Sequence, residues 1–274
     1  MIELFLIVVG LVGGFAAGFY DLKTTNIPDQ LCVSMIIIGL ITHILTGVFT
    51  GDFSYFVNSL LFGGAFLGFG LLMYYTGQWG GGDGELLVAM GVLLPSLHSV
   101  ATFFPFSVSF FINSFFVGAF WSIAFSMYYV YKNPALTRKF LSGFRRPTVA
   151  LLAAAPLLMS FALAFFDRAL STISFLIFLL VIFYRFSKVI EQAFYRRIPV
   201  GKLRFDDMLG EDIPSLRLYK KHIKGLTKEQ VIRIKKAKKF VIIKEGVRYG
   251  IVFPLALLFT LFFGDIILLF FHSL

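Results

Sequence analysis

Apolar residues fill most of the chain in long stretches, and short polar segments separate one stretch from the next. A helix needs about 20 apolar residues to cross a hydrocarbon core of roughly 30 Å. The pattern therefore predicts an all-α bundle of membrane-spanning helices, with eight spans, or six to seven if the pair joined at Asp167 and Arg168 is re-entrant. The predicted spans cover residues 2–20, 31–50, 54–75, 84–97, 107–131, 149–166, 170–186 and 249–271.

The composition excludes an ordinary soluble domain. Of the 274 residues, 58% are hydrophobic and 15% are charged, whereas soluble domains have roughly 45–50% apolar and about 25% charged residues. Basic residues concentrate in one segment, because residues 185–248 hold 18 of the 25 Lys and Arg. We predict a membrane-embedded core at 1–189, a small basic cytoplasmic domain at 190–246 and a C-terminal membrane helix at 247–274.

The distribution of Lys and Arg also predicts the orientation, because cytoplasmic loops are enriched in these residues. With the N-terminus outside, the inner segments are 21–30, 76–83, 132–148 and 187–248, and only Arg168 of the 25 basic residues lies outside. We therefore predict a multi-pass protein of the cell membrane that has both termini outside and the basic domain in the cytoplasm.

Within the basic domain, Thr227 and Gln230 fit a capping box and predict that a helix begins there. The basic run of this helix could bind nucleic acid, but juxtamembrane basic residues are attracted to anionic lipid headgroups. We favour the headgroups and predict no nucleic-acid partner. The run comprises Arg233, Lys235, Lys236, Lys238 and Lys239.

Two acidic residues fall where a membrane protein rarely places them without a function. Asp21 ends the first predicted span and Asp83 opens the fourth, so two crossings bring both carboxylates to the cytoplasmic face. Glycines at 80–82 and 84 surround Asp83 and allow close backbone approach. Two carboxylates that share a proton can activate water against an amide, one as general base and the other as general acid. Alternatively, Asp83 only caps the start of a helix.

These residues resemble known motifs. Asp21-Leu22-Lys23 with Asn26-Ile27-Pro28-Asp29 resembles the first aspartate motif of type IV prepilin peptidases. Gly80-Gly81-Gly82-Asp83 is similar to their G-x-G-D motif, which presenilins and signal peptide peptidases also use. The run Glu245-Gly246-Val247-Arg248-Tyr249, with Pro254 after it, resembles archaeal preflagellin (prearchaellin) peptidases.

The resemblance implies an intramembrane aspartic endopeptidase in which Asp21 and Asp83 are catalytic and Gly80, Gly82, Gly84 and Pro28 support them. Its substrates would be type IV pilin-like or archaellin precursors, cleaved after a short basic leader at the cytoplasmic face. Bacterial relatives often carry a four-cysteine loop and also methylate the new N-terminus. Since Cys32 is the only cysteine and no methyl-donor site is recognisable, we predict peptidase activity alone. We also predict no cofactor, because an aspartic dyad needs only water.

Glu85 departs from the family, because many relatives have Lys at this position. It either adds negative charge beside the dyad, faces the basic leader, or is a plain acid in the first turn of a helix. For Asp29 we favour capping of the second span over contact with the substrate. Gly18 is a weaker candidate.

Other classes of function remain open at this point. The protein could be a transporter or channel with Asp21 and Asp83 in an ion path, or a catalytically silent relative of the same fold. The histidines have no metal-site spacing, so we predict no metal. They are His43, His98, His222 and His272.

Overall fold

The computed structural model describes residues 2–97, 100, 102–205, 207–220, 225–244 and 246–267. This part of the chain is mostly helical and includes one small sheet. In chain order, its elements are α1 (Ile2–Thr24), α2 (Asp29–Thr50), α3 (Ser54–Thr76), α4 (Gly81–Leu93), α5 (Phe106–Lys132), α6 (Pro134–Gly143), α7 (Pro147–Leu163), α8 (Arg168–Ala193), β1 (Tyr195–Pro199), β2 (Met208–Leu209), α9 (Lys228–Ala237), β3 (Phe240–Lys244) and α10 (Val252–Phe263).

The chain divides into two compact units. The first comprises Met1–Ala124 with Gly246–Leu274, and the second comprises Phe125–Glu245. The domain limits that we predicted at 189/190 and 246/247 separate membrane from cytoplasm, and they stay predictions.

The predicted helical membrane bundle is confirmed. Among the described residues, five helices are long and apolar enough to cross a membrane, namely α1, α2, α3, α5 and most of α8, and a sixth span is counted if α6 and α7 form one. Glycines end two of them, because Gly51 after α2 and Gly77 after α3 adopt the left-handed conformation, with φ of 76° and 72°. Glycine is the usual residue at this position, since it has no Cβ to clash.

The fourth and eighth predicted spans are helices that are shorter than a membrane span. α4 has 13 residues and α10 has 12, which at 1.5 Å per residue gives lengths of about 20 Å and 18 Å. α4 begins three residues before the predicted start at 84 and ends at Leu93, ahead of Pro95. α10 ends at Phe263, directly before Gly264, whose φ is 66°, and residues 268–271 of the predicted span lie outside the described residues.

The sixth predicted span is not a straight helix from 149 to 166. α7 begins at Pro147, and the preceding α6 is bent away from it by 79°. Pro147 explains the break, because the residue before a proline is disfavoured in helical conformation. α7 and α8 then pack as a hairpin in which the Ser171 hydroxyl donates a hydrogen bond to the Ser160 carbonyl oxygen at 2.9 Å.

The basic segment contains a sheet that the all-α prediction missed. The antiparallel strands have the order β1-β3-β2, with Ile198 opposite Val241. The predicted capping box is confirmed: the Gln230 N–H donates to the Thr227 hydroxyl at 3.3 Å, and the Thr227 N–H donates to the Gln230 side chain at 2.9 Å. A compact apolar core joins sheet and helix, formed by Leu203, Leu209, Ile213, Leu218, Leu226, Val231, Ile234, Val241 and Ile243.

Candidate active site

Asp21 lies in the last turn of α1, and its side chain is buried. Its Oδ2 accepts a hydrogen bond from the Gly250 N–H at 3.0 Å. The backbone can come this close because small residues face it. A Cβ on Gly18 would lie 2.7 Å from the Ile251 Cα, and one on Gly250 would lie 3.1 Å from the Asp21 Cβ. The segment before α10 therefore supplies a backbone donor to a carboxylate on α1.

Arg248 joins the same two segments. Its guanidinium Nη1 donates a hydrogen bond to the Leu22 carbonyl oxygen near the end of α1, and its positive charge is close enough to attract the Asp21 carboxylate. The Trp121 indole N–H in turn donates to the Arg248 carbonyl oxygen at 2.8 Å. α5, α1 and the segment before α10 are thus linked by polar contacts beside Asp21.

Asp83 is the third residue of α4, and it is half-buried. Its Oδ2 accepts a hydrogen bond from the Gly80 N–H at 3.3 Å, so the carboxylate caps its own helix, as the alternative interpretation of Asp83 had it. An acidic side chain in the first turn is also favoured by the helix dipole. Capping and catalysis are compatible, because this hydrogen bond engages only one carboxylate oxygen.

The glycines around Asp83 allow two close contacts. A Cβ on Gly84 would lie 3.3 Å from the Gly70 Cα, so the backbones of α3 and α4 nearly touch at this point. A Cβ on Gly82 would lie 2.9 Å from the Ile27 Cβ. Gly80 is exposed and contributes its N–H.

The structure brings Asp21 and Asp83 together. α1 ends and α4 begins at the same end of the first unit, and the two carboxylates are close enough for their charges to repel. Ile27 lies beside both: it is buried, and it contacts the Gly82 position and, through its Cδ1, the Gly250 position at 3.0 Å. Pro28 follows it as the N-cap of α2, with an extended backbone. The segment after α1, the start of α4 and the segment before α10 therefore adjoin one another at Ile27.

Asp29 and Glu85 form an exposed acidic pair beside this site. Their charges interact with each other, and both also interact with the buried Cys32 thiol, as Asp83 does. Our preferred role for Asp29 is wrong, because Pro28 occupies the N-cap position and Asp29 is the first residue of α2. Contact of Asp29 or Glu85 with a substrate stays a prediction.

Two aromatic residues, Trp79 and Tyr249, lie near Asp83, and neither was predicted as a site residue. The Tyr249 ring packs on the Trp79 ring at a centroid distance of 5.3 Å, and its hydroxyl donates to the Ser114 carbonyl oxygen at 3.0 Å. Tyr249 lies within electrostatic range of Asp83. Their adjacency to Gly80 and Gly250 in the sequence was the available signal.

Among the described residues, no cluster of three His, Cys, Asp or Glu side chains is arranged to hold a metal ion. His98, His222 and His272 lie outside the described residues. The expected absence of a metal and of a cofactor stays a prediction.

Comparison with known proteins agrees with the motifs. Residues 8–123, which include both aspartates, match the type IV leader peptidase family. A preflagellin peptidase of Methanocaldococcus jannaschii is 36% identical over 91 residues, which cover 33% of this chain and 38% of the relative. A preflagellin peptidase of Methanococcus voltae is 34% identical over 90 residues, covering 32% and 37% of the two chains.

A more distant relative matches a longer segment. The prepilin peptidase EppA of Methanothermobacter thermautotrophicus is 26% identical over 126 residues, which cover 42% of this chain and 33% of the relative. The chain thus spans less than two fifths of the length of each of these relatives. The resemblance inferred from the aspartate motifs is confirmed, because residues 8–123 are similar to the type IV leader peptidase family.

Proposed function

We propose that the protein is an intramembrane aspartic endopeptidase that removes short basic leader peptides from type IV pilin-like precursors, preflagellins or prepilins. The observation that supports this proposal is that Asp21 and Asp83 lie at one end of the first unit, within electrostatic range of each other. The names of the relatives, preflagellin and prepilin peptidase, support the substrate class.

In the proposed reaction, one carboxylate takes a proton from water while the water oxygen attacks the carbonyl carbon of the scissile peptide bond. The other carboxyl group donates its proton to the leaving nitrogen as the C–N bond breaks, which restores one shared proton on the pair. The Gly250 and Gly80 N–H groups each hold one carboxylate in place. Fixed hydrogen bonds of this kind reduce the reorganisation needed during the reaction.

We place the reaction at the cytoplasmic face. The supporting argument is the charge distribution, since the segments next to Asp21 and Asp83 belong to the predicted inner loops 21–30 and 76–83. This orientation gives the protein two external termini in the cell membrane.

A basic leader would meet the acidic pair of Asp29 and Glu85, which is exposed beside the dyad. The many basic residues of 190–246 would repel such a leader, so we assign them to anionic lipid headgroups, which attract juxtamembrane Lys and Arg.

The test is a cleavage assay with a tagged pilin-like precursor in isolated membranes. Wild type should remove the leader, Asp21→Asn and Asp83→Asn should not, and Asp52→Asn should behave as wild type, because Asp52 is exposed in the loop between α2 and α3. Mass spectrometry of the product should find an unmethylated N-terminus. Cleavage by both dyad variants would exclude the aspartic mechanism, and failure of wild type on several precursors would favour an ion path or a silent relative.

A further inference from the structure

The far end of α4, opposite Asp83, is buried among other helices. The last carbonyl groups of a helix have no partner within it, and water is absent from a hydrocarbon core, so such groups must bond to protein. Val92, Leu93 and Leu94 are all buried. α4 therefore needs side-chain donors at its C-terminal end.

Three helices supply these donors. The His43 Nε2 on α2 lies 3.1 Å from the Val92 carbonyl oxygen and 3.2 Å from that of Leu93. The Ser59 hydroxyl on α3 donates to the Val92 oxygen at 2.8 Å. The Ser107 hydroxyl on α5 donates to the Leu94 oxygen at 2.6 Å, so three successive carbonyls are satisfied.

The two His43 contacts define the role of its Nε2 atom. Both partners are carbonyl oxygens, which only accept, so Nε2 carries a hydrogen and donates it to both. The His43 side chain is 2% exposed, and its ring stacks on the Tyr55 ring with centroids 6.3 Å apart. The two carbonyl acceptors and the Tyr55 ring thus fix the orientation of the donor.

Glycines bring these donors within reach. Gly39 precedes His43 by one helical turn, and a Cβ there would lie 3.3 Å from the Leu93 Cα. Gly63 follows Ser59 by one turn, and a Cβ there would lie 2.5 Å from a Val92 methyl group. Residues four apart lie on one face of a helix. α2 and α3 therefore present the same combination, a glycine and a donor, to the end of α4.

The position of this end decides the position of Asp83. Nine residues separate Asp83 from Val92 along one helix, which corresponds to about 14 Å of axial rise. A helix of this length moves as a rigid rod, so a shift or rotation at Val92 is transmitted to the Asp83 carboxylate. Misplacement of a catalytic group by about 1 Å can cost roughly 10²-fold in rate.

We propose that His43 is a positioning residue: together with Ser59 and Ser107 it holds the C-terminal end of α4, and thereby fixes the Asp83 carboxylate relative to Asp21. This inference rests on the proposed peptidase function. His43 does not touch the reacting atoms, and it acts through the helix that carries one of them.

The kinetic test compares His43→Ala with His43→Gln, because glutamine keeps an N–H donor at a similar reach. We expect His43→Ala to lower kcat about tenfold or more with KM within about twofold, and to change the width of the pH profile of kcat, since the coupling of two carboxylates depends on their separation. His43→Gln should recover most of both. Thr42→Ala is the matched control, because the Thr42 hydroxyl bonds within its own helix, to the Ile38 carbonyl oxygen at 2.7 Å.

If the His43→Ala protein does not accumulate, Ser59→Ala tests the proposal instead, because in Ser59→Ala the His43 side chain still bonds to the Val92 oxygen. It should show a smaller loss of kcat with the same change in the pH profile. The proposal would be overturned if the variant that folds, His43→Ala or Ser59→Ala, had the wild-type kcat and the wild-type pH profile of kcat. Equal losses of kcat in His43→Ala and His43→Gln would overturn it as well.

A second measurement does not depend on activity. Nitroxide labels at Lys23→Cys and Glu85→Cys, both exposed positions, report the distance between the end of α1 and the start of α4 in a Cys32→Ala background. His43→Ala should shift or broaden this distance distribution and Thr42→Ala should not. If wild type fails to cleave any precursor, the proposed function fails and the label distances alone decide the positioning of α4; an unchanged distribution in His43→Ala would refute it.

Discussion

Gly18 offers a direct way to disturb the dyad without touching either carboxylate. It lies on α1, three residues before Asp21, and a Cβ in this position would come within 2.7 Å of the Ile251 Cα and 3.0 Å of the Ile251 nitrogen. These are backbone atoms, so no side-chain rotation can relieve the clash. Gly18→Ala must therefore push α1 and the segment before α10 apart.

The required shift can be worked out. Carbon atoms at optimal contact are about 3.5 Å apart, so the 2.7 Å approach must widen by about 0.8 Å. The hydrogen bond from the Gly250 N–H to Asp21 spans 3.0 Å, and an extension of this size exceeds the usual limit for such bonds. A hydrogen bond to a charged group contributes about 1.5–3 kcal/mol. If the transition state depends on it fully, kcat falls roughly ten- to hundredfold.

The assay measures kcat and KM for a pilin-like precursor together with the thermal stability of the purified protein. Overpacking costs typically about 1–3 kcal/mol, so we expect a modest loss of stability beside the loss of kcat. Gly64→Ala is the matched control, because Gly64 also lies within a membrane helix and a Cβ there would meet no atom of the described residues within 4 Å. Wild-type kcat in Gly18→Ala would show that the close approach of α1 and Gly250 is irrelevant to cleavage.

Three further predictions concern other contacts. Gly70→Ala should destabilise the protein by about 1–3 kcal/mol, because its Cβ would lie 3.0 Å from the Gly84 Cα. Gly68→Ala should leave the stability unchanged, because a Cβ on Gly68 would meet no atom of the described residues within 4 Å. Equal melting temperatures of the two variants would contradict this prediction. Glu85→Gln combined with Asp29→Asn should raise KM for a basic leader at low salt, and the difference should shrink at high salt as charges are screened; an unchanged KM would remove the pair from leader binding. The Ser54 N–H donates a hydrogen bond to Asp52 and lowers its pKa. This contact therefore stabilises the protein at pH values above the unfolded pKa of about 3.9, and the stabilisation is lost as the pH falls through the lower native pKa. Asp52→Ala should reduce this loss of thermal stability at acid pH, and the same dependence of melting temperature on pH in both proteins would refute the assignment.

The long helices could be predicted from hydropathy because their length is set by the membrane. The spans predicted at 2–20, 54–75 and 107–131 correspond to α1, α3 and α5 with ends that differ by at most four residues. The start of α4 was predicted three residues too late, because its first turn is made largely of glycines, which do not indicate a helix. Its end depends on donors from three other helices, and an apolar window contains no information on them.

The sheet was missed for a different reason. β1 is exposed along most of its length, so it lacks the alternation of apolar and polar residues that indicates a strand. In β3 the burial alternates, with Val241 and Ile243 buried, but its first four residues are all apolar, so the sequence does not alternate. A strand of five residues within a basic segment is also a weak signal. Pairing between segments far apart in the chain creates this structure.

In the candidate site, the acidic side chains could be predicted from the sequence, but the backbone groups that form hydrogen bonds could not. Asp21 and Asp83 stand out because carboxylates are rare at membrane depth. Gly250 contributes its N–H, which every residue except proline has, so only its closeness to Asp21 in space identifies it. The same holds for the carbonyl oxygens that His43 contacts. His43 was considered only as a metal ligand and was excluded for lack of metal-site spacing. Its role as a donor could not be predicted, since its acceptors lie about 50 positions away.

The shortness of α4 explains why its C-terminal end is bonded by other helices and why its N-terminal end places Asp83 beside Asp21. A helix of about 20 Å cannot reach both faces of a membrane of roughly 30 Å, so one of its ends must lie among other helices and be satisfied by them. Here the C-terminal end takes that place and is held by His43 and Ser59, which leaves the N-terminal end with Asp83 beside Asp21. The helix dipole favours a negative charge at that end. A full-length span could slide or tilt in the bilayer, whereas we expect a short helix held by polar contacts at its buried end to keep its carboxylate in a fixed position relative to Asp21.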